Sequence, residues 1–243
     1  MTIIWYPYAV TYAENATGFT PPPGIDGVPA QLVPGGGVAA VAAELDAAGF
    51  EAAQAEPDLS EGGWLAAALR AHHRVTCEAF ARVPVLPLRF GACYASRSQL
   101  VGLLEAQGPR LREALDAVRD AAEWTVEVFV ESHQPSEVDG AEAADGTAWM
   151  RRRLGEAHDR ETLRGQASKC AQRVHRVLTE LAVRTDGREG ITRRVYLVRR
   201  QRETAFVTAA SGLAAQLPGT HLKLKIIGPQ PAFHFVSAGL RHG

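Results

Sequence analysis

From Trp124 to Ile227 the apolar residues of this 243-residue chain switch repeatedly between a period of two and a helical period, and few folds accommodate that order. Trp124, Val126, Val128 and Val130 alternate with Thr125, Glu127, Phe129 and Glu131, the pattern of a strand with one wet face. Leu163, Ala167, Cys170, Val174, Val177 and Leu181 then recur at spacings of four and three, a narrow seam along a long helix from about Thr147 to Arg184. A strand over Arg194–Arg200, a helix over Glu203–Gln216 and a strand over His221–Ile227 follow. The order β-α-β-α-β implies helices packed on one side of a small, largely antiparallel sheet, close to the ferredoxin-like plan.

The first half reads as a mixture of the same two periods. Ile3, Trp5, Tyr6, Tyr8, Val10 and Tyr12 make an opening strand, and Asn15–Pro29, with Pro21-Pro22-Pro23-Gly24, is a loop that no helix or central strand could contain. Residues 30–33 and 38–43 flank Pro34-Gly35-Gly36-Gly37 as a hairpin. A helix capped by Ser60, a buried strand over Val83–Phe90 and a second helix over Ser96–Ala122, with a possible break at Gly108-Pro109, complete it. The expected class is α+β in two domains. Residues 1–122 form an acidic N-terminal domain, 123–228 a ferredoxin-like domain with a long basic helix, and 229–243 a docking tail. His133–Gly146, acidic and rich in small residues, has the composition of a junction.

A net charge of −1 hides a partition. Residues 1–145 carry 8 Lys and Arg against 20 Asp and Glu, a net −12; residues 146–243 carry 18 against 7, a net +11, and the two sum to −1. Two regions with different contacts are expected from such a split. Cys77, Cys93 and Cys170 are odd in number and lack a C-x-x-C pair, which fits reduced core thiols of a cytosolic protein rather than a disulfide framework. Met1–Ala13 has no basic n-region, and the longest uncharged run, Thr204–Leu222, is too polar for a bilayer span, so a soluble intracellular chain is expected.

No catalytic, metal-binding or cofactor-binding residues emerge. His72 and His73 point about 100° apart on a helix and cannot readily share a metal; His73 and Cys77 are at chelating spacing, but no second pair completes a site. The glycine triplet lacks the Lys and Ser/Thr of a phosphate loop. The basic stretch Arg151-Arg152-Arg153, Arg160, Arg164, Lys169, Arg173 and Arg176 invites a nucleic-acid reading, yet no aromatic alternates with these charges, and an acidic protein surface suits it equally well. Pro84-Val85-Leu86-Pro87-Leu88-Arg89-Phe90-Gly91 forbids regular pairing at two positions, which makes it an edge or crossing segment with Arg89 reaching water or a carboxylate. Gly228-Pro229-Gln230-Pro231-Ala232-Phe233-His234-Phe235-Val236 is too apolar for a disordered tail; it is expected to fold back onto the protein itself, at the N-terminal domain, with a free partner-binding tail as the alternative.

His73-Arg74-Val75, the Val85–Gly91 block, Glu123-Trp124, Tyr196-Leu197-Val198 and the Gly228–Phe235 block occur here in an order that resembles the gas vesicle protein GvpF/GvpL family, from about residue 60 to 236. The resemblance implies a two-domain α+β protein without catalytic residues. It also implies an accessory or minor structural role in gas vesicle assembly, in the cytoplasm and at the vesicle, through contacts with the shell protein and other accessory proteins. No membrane or cofactor is implied, and nucleic acid remains the alternative partner. Structural or interaction candidates on the matching blocks are Arg89, Phe90, Tyr196, Pro229, Pro231, Phe233 and Phe235. The chain departs from the family pattern at Ala92-Cys93-Tyr94, where Thr-Val-Phe is usual. It departs again at Gln230, Ala232, Phe233 and His234, where Trp, Pro, Tyr and Ser are usual.

Overall fold

The computed structural model describes residues 2–17, 19–56, 58, 60–131, 146–187, 192–217 and 221–235. Its contacts divide the chain into one unit of Met1–Ala122 with Pro229–Gly243, and another of Glu123–Gly228. The junction segment expected at 133–146 lies, apart from Gly146, outside the described residues, as does Val236.

The first unit is built on β1 (Ile3–Tyr12), β2 (Gln31–Gly35), β3 (Val38–Asp46) and the two-residue β4 (Leu86–Pro87), joined in the order β2-β3-β1-β4 with every pair antiparallel. Helices α1 (Ala48–Ala55), α2 (Trp64–Phe80) and α3 (Arg97–Val118) complete it. Trp5 to Tyr12 and Val38 to Ala43 are buried without alternation, because α2 packs on β1 and α3 packs on β1, β2 and β3. The β1–β3 register shifts between Pro7 and Ala9, where proline has no N–H to give the ladder. Tyr6 and Tyr8 contact His72 of α2, whereas Tyr12 donates to Asp116 of α3 at 2.6 Å.

The glycine triplet closes the β2–β3 hairpin with positive φ at Gly36 and Gly37. It also lets two backbones touch. A Cβ on Gly36 would lie 2.2 Å from the Leu104 carbonyl oxygen, and one on Gly108 would lie 2.2 Å from that of Gly36. Helix α3 runs unbroken through Pro109, contrary to the expected interruption. Two further expectations need correction, and one helix was not expected. The strand over Val83–Phe90 shrinks to Leu86–Pro87 because its two prolines stop the ladder. Helix α2 starts at Trp64 with Gly63, not Ser60, at its cap, where Asp58 leaves no room for a Cβ. Helix α1, Ala-rich and short, gave no periodic signal.

The second unit comprises β5 (Ala121–Val130), α4 (Gly146–Thr179), β6 (Arg184–Asp186), β7 (Arg193–Arg199), α5 (Glu203–Ala214) and β8 (Leu222–Gln230), in the sheet order β6-β7-β5-β8. Two β-α-β halves with the last strand beside the first form the ferredoxin-like plan. Its second strand, β6, carries only Arg-Thr-Asp, all exposed; the expected helix reaches Arg184 and no strand is expected over Thr185-Asp186, for want of an apolar residue. Helices α4 and α5 pack on each other and on β7. The buried stripe of α4 is Ala167, Ala171, Val174, His175 and Leu178, rotated from the expected seam, and Val177 is exposed. Strand β5 is buried on both faces from Ala121 to Val126 and wet on one face only beyond, at Phe129 and Glu131.

Counted by unit, the charge partition shrinks. Residues 123–228 hold 17 Lys and Arg against 14 Asp and Glu, a net +3, because the acidic stretch 123–145 belongs with the basic helix that follows it.

Two glycines of α3 separate turn geometry from helix propensity. Gly108→Ala should destabilise the protein by about 1–3 kcal/mol through collision with the hairpin backbone. Gly102→Ala, with nothing within 4 Å of its would-be Cβ, should stabilise by about 0.5–1 kcal/mol. Urea unfolding curves of the two variants give the comparison.

Candidate functional site

Leu88–Gly91, which follows the second proline of the Pro84–Gly91 block, lies beyond the two-residue ladder of β4 and is held largely by side chains. His72 Nε2 lies 3.1 Å from the Leu88 carbonyl oxygen, which can only accept, so that nitrogen carries the proton. His72 Nδ1 therefore accepts from the Tyr6 hydroxyl at 2.8 Å, and the same hydroxyl oxygen accepts from the Gly91 N–H at 3.3 Å. The chain Gly91 N–H to Tyr6 to His72 to Leu88 ties the loop to β1 and α2 at once. The Leu88 N–H adds a bond to the Tyr8 carbonyl at 3.0 Å, and Trp5 and Tyr94 exchange backbone bonds beyond it.

Aromatic rings pack around this network. Tyr6 stands edge-on to Tyr8 and stacks on Phe50, and Phe90 meets Tyr6, Phe50 and His72 at centroid distances of 6.1, 5.9 and 5.8 Å. Trp64 closes the cluster against Phe50 and donates its indole N–H to Asp26. Burial pushes the His72 imidazole down to about 4 and the Tyr8 phenol up to about 12, and raises Tyr6 as well. These groups are neutral across the physiological range and serve as structural polar contacts.

The tail segment completes the first unit. Pro231 and Ala232 are buried, Phe235 is 4% exposed, and half-buried Phe233 stacks on His73 with centroids 5.3 Å apart and planes 22° from parallel. Gly228, at φ +150°, allows β8 to pass against Trp124, whose ring would lie 2.7 Å from a Cβ there. Pro229 is exposed at the end of that strand.

The remaining candidates divide by burial. Arg89 is exposed, in water as its position in an apolar run demands. Tyr196 is fully buried in the second unit, hydrogen-bonded to His175 of α4 and packed on Phe206, so it is a core residue with no free surface. His73 Nε2 and Cys77 Sγ are 3.4 Å apart, and among the described residues no group of three or more His, Cys, Asp or Glu is placed to hold a metal ion. Burial raises the Cys77 and Cys93 thiols, which keeps them protonated. No helix of the described residues is long and apolar enough to cross a membrane. The feature missed by the sequence reading is the pair Met150 and Leu154, exposed on α4; their spacing of four was visible, but the seam was counted from Leu163.

Unfolded, His72 takes up its proton near pH 6.5; folded, only near pH 4. Between those values the unfolded chain binds more protons, so this stabilisation, about 3 kcal/mol, is complete above pH 6.5 and lost as pH falls towards 4. Unfolding free energies at pH 7 and pH 4.5 should differ by about 2 kcal/mol more in the parent than in His72→Asn. In the tail, Phe235→Ala should cost about 3 kcal/mol and Phe233→Ala about 1 kcal/mol, read from the same urea titrations.

Comparison with known proteins places this geometry. The family described as "Gas vesicle synthesis protein GvpL/GvpF" matches residues 4–237. A gas vesicle protein L of Streptomyces sp. (strain CB03234) is 30% identical over 247 residues, covering 95% of this chain and 91% of that protein. The crystal structure of gas vesicle protein GvpF from Anabaena sp. PCC7120 superposes with a TM-score of 0.70 at 17% identity, over 99% of each chain. That of GvpF from Microcystis aeruginosa superposes with a TM-score of 0.66 at 16% identity, over 98% of this chain and 100% of that one. With the family match running through both the Leu88–Gly91 clamp and the Pro229–Phe235 tail, the chain belongs to the gas vesicle GvpL/GvpF family.

Proposed function

We propose that the protein is a non-enzymatic accessory or minor structural component of gas vesicle assembly, acting in the cytoplasm and at the vesicle through contacts with the shell protein and other accessory proteins. The observation that carries this reading is the family match over residues 4–237, which spans both units rather than one module. The structure lends support in how it uses its polar residues. His72, Tyr6, Tyr8 and Thr76, which could serve chemistry in an open cleft, are buried and bonded to backbone or to each other. What the protein offers to the outside is surface: Arg89 and Pro229 on the two characteristic blocks, and the long basic helix α4. The nucleic-acid alternative draws on that helix too. It is the weaker reading because Phe129 is the one aromatic among the large apolar side chains exposed in the described residues, and reading of single strands uses stacking platforms.

A pull-down with purified shell protein and each accessory protein, at low and moderate salt, tests the proposal. Retention of at least one of them is expected at both salts; retention of none overturns it. Filter binding of single-stranded oligonucleotides is the companion measurement, and an affinity falling steeply with salt would favour the alternative.

A further inference from the structure

Helix α4 is longer than the sheet it packs on. Its 34 residues span about 51 Å at the standard rise. Among the side chains described the first buried one is Ala167; before it Met150, Arg153, Leu154, Ala157, His158, Glu161 and Arg164 are exposed and Leu163 is half-buried. Met150 and Leu154, at 62% and 68%, are the two most exposed large apolar side chains described. Met150, Leu154, Ala157, Glu161 and Arg164 succeed one another at spacings of four, three, four and three, which makes one continuous stripe. The helix carries 8 Lys and Arg against 3 Asp and Glu, a net +5.

Such a projection is poorly supported by its own sequence. Gly155 and Gly165 each cost about 1 kcal/mol relative to Ala, and a helix without tertiary cover is marginal in water. Covering the stripe would supply what the sheet does not.

We propose that the exposed N-terminal half of α4 is a docking stripe for an acidic amphipathic helix of a partner protein. This deepens, and rests on, the reading of the chain as an assembly protein that works by contacts. The occupant's chemistry follows from the stripe. Net positive charge selects an acidic partner, and the thioether of Met150 and the isobutyl group of Leu154 need an apolar counterpart that a phosphate backbone does not provide. A stripe at helical spacing along a straight rod is matched by a second helix lying beside it. Between Arg151 and Arg176 there is no Phe, Tyr or Trp to stack on bases.

The test uses the intact chain and a labelled synthetic helical peptide with Glu on its polar face and Leu on its apolar face, followed by fluorescence anisotropy. The peptide should bind, more weakly as salt rises, and the double variant Met150→Asp/Leu154→Asp and the single variant Arg164→Glu should each bind it about tenfold more weakly. All three side chains are exposed, so circular dichroism of the variants should match the parent. Unchanged affinity in both variants, or equal binding of a Lys-for-Glu peptide, overturns the proposal. A single-stranded oligonucleotide that binds more tightly and displaces the peptide overturns it in favour of nucleic acid. Self-association in sedimentation that is lost in the double variant overturns it in favour of a second copy. If the double variant still retains the shell and accessory proteins as the parent does, the stripe fails while the assembly role stands; if the parent retains none, the assembly role itself fails.

Discussion

The hydrogen-bond chain through His72 is the constraint around which the first unit is organised. The Leu88–Gly91 loop follows two prolines that end the sheet ladder, so its backbone groups need partners from elsewhere. His72 donates from Nε2 to the Leu88 carbonyl and accepts on Nδ1 from the Tyr6 hydroxyl, whose oxygen in turn takes the Gly91 N–H. This works only for a neutral ring in a single tautomer: burial among Tyr6, Tyr8 and Phe90 keeps the ring neutral, and the Leu88 carbonyl, which can only accept, sets the tautomer. A buried polar network of this kind fixes one arrangement among many apolar ones of similar energy. The arrangement sets where α2 lies, and so where His73 stands to receive Phe233.

Much of the fold was legible because periodicity reports burial. The strand at Ile3–Tyr12, the Gly-rich hairpin and the α-β order of the second unit all showed in apolar spacing and turn residues. What escaped had no apolar signal or a misleading one. Strand β6 is Arg-Thr-Asp, paired through backbone alone, and composition cannot announce it. Val83–Phe90 has the composition of a buried strand, but prolines decide pairing before side chains do. On α4, a four-three count selected Cys170 and Val177, whereas the helix buries Ala171 and His175. A straight helix drifts about 20° per heptad from such a count, and alanine and histidine are weak markers of an inward face.

The candidate surfaces were legible in a narrower sense. The oddity of Val85–Gly91 and Gly228–Phe235 could be read from their prolines and aromatics. Their partners could not, because Tyr6 lies 66 residues from His72 and nothing local encodes that pairing. Tyr196, a structural or interaction candidate on a matching block, is a core phenol bonded to a helix. Charge misled in a related way: a split at residue 145 exaggerates an asymmetry that the structural units divide far more evenly.

The first unit draws its residues from both sides of the second. Residues 229–235, which supply Ala232, Phe233 and Phe235 to it, are translated only after all of 123–228. On the ribosome the ferredoxin-like unit thus has its full complement of strands before its neighbour has its complete core. Until then the face of α2 around His73 lacks the ring that stacks on it. Completion of the tail then marks the moment at which that face closes.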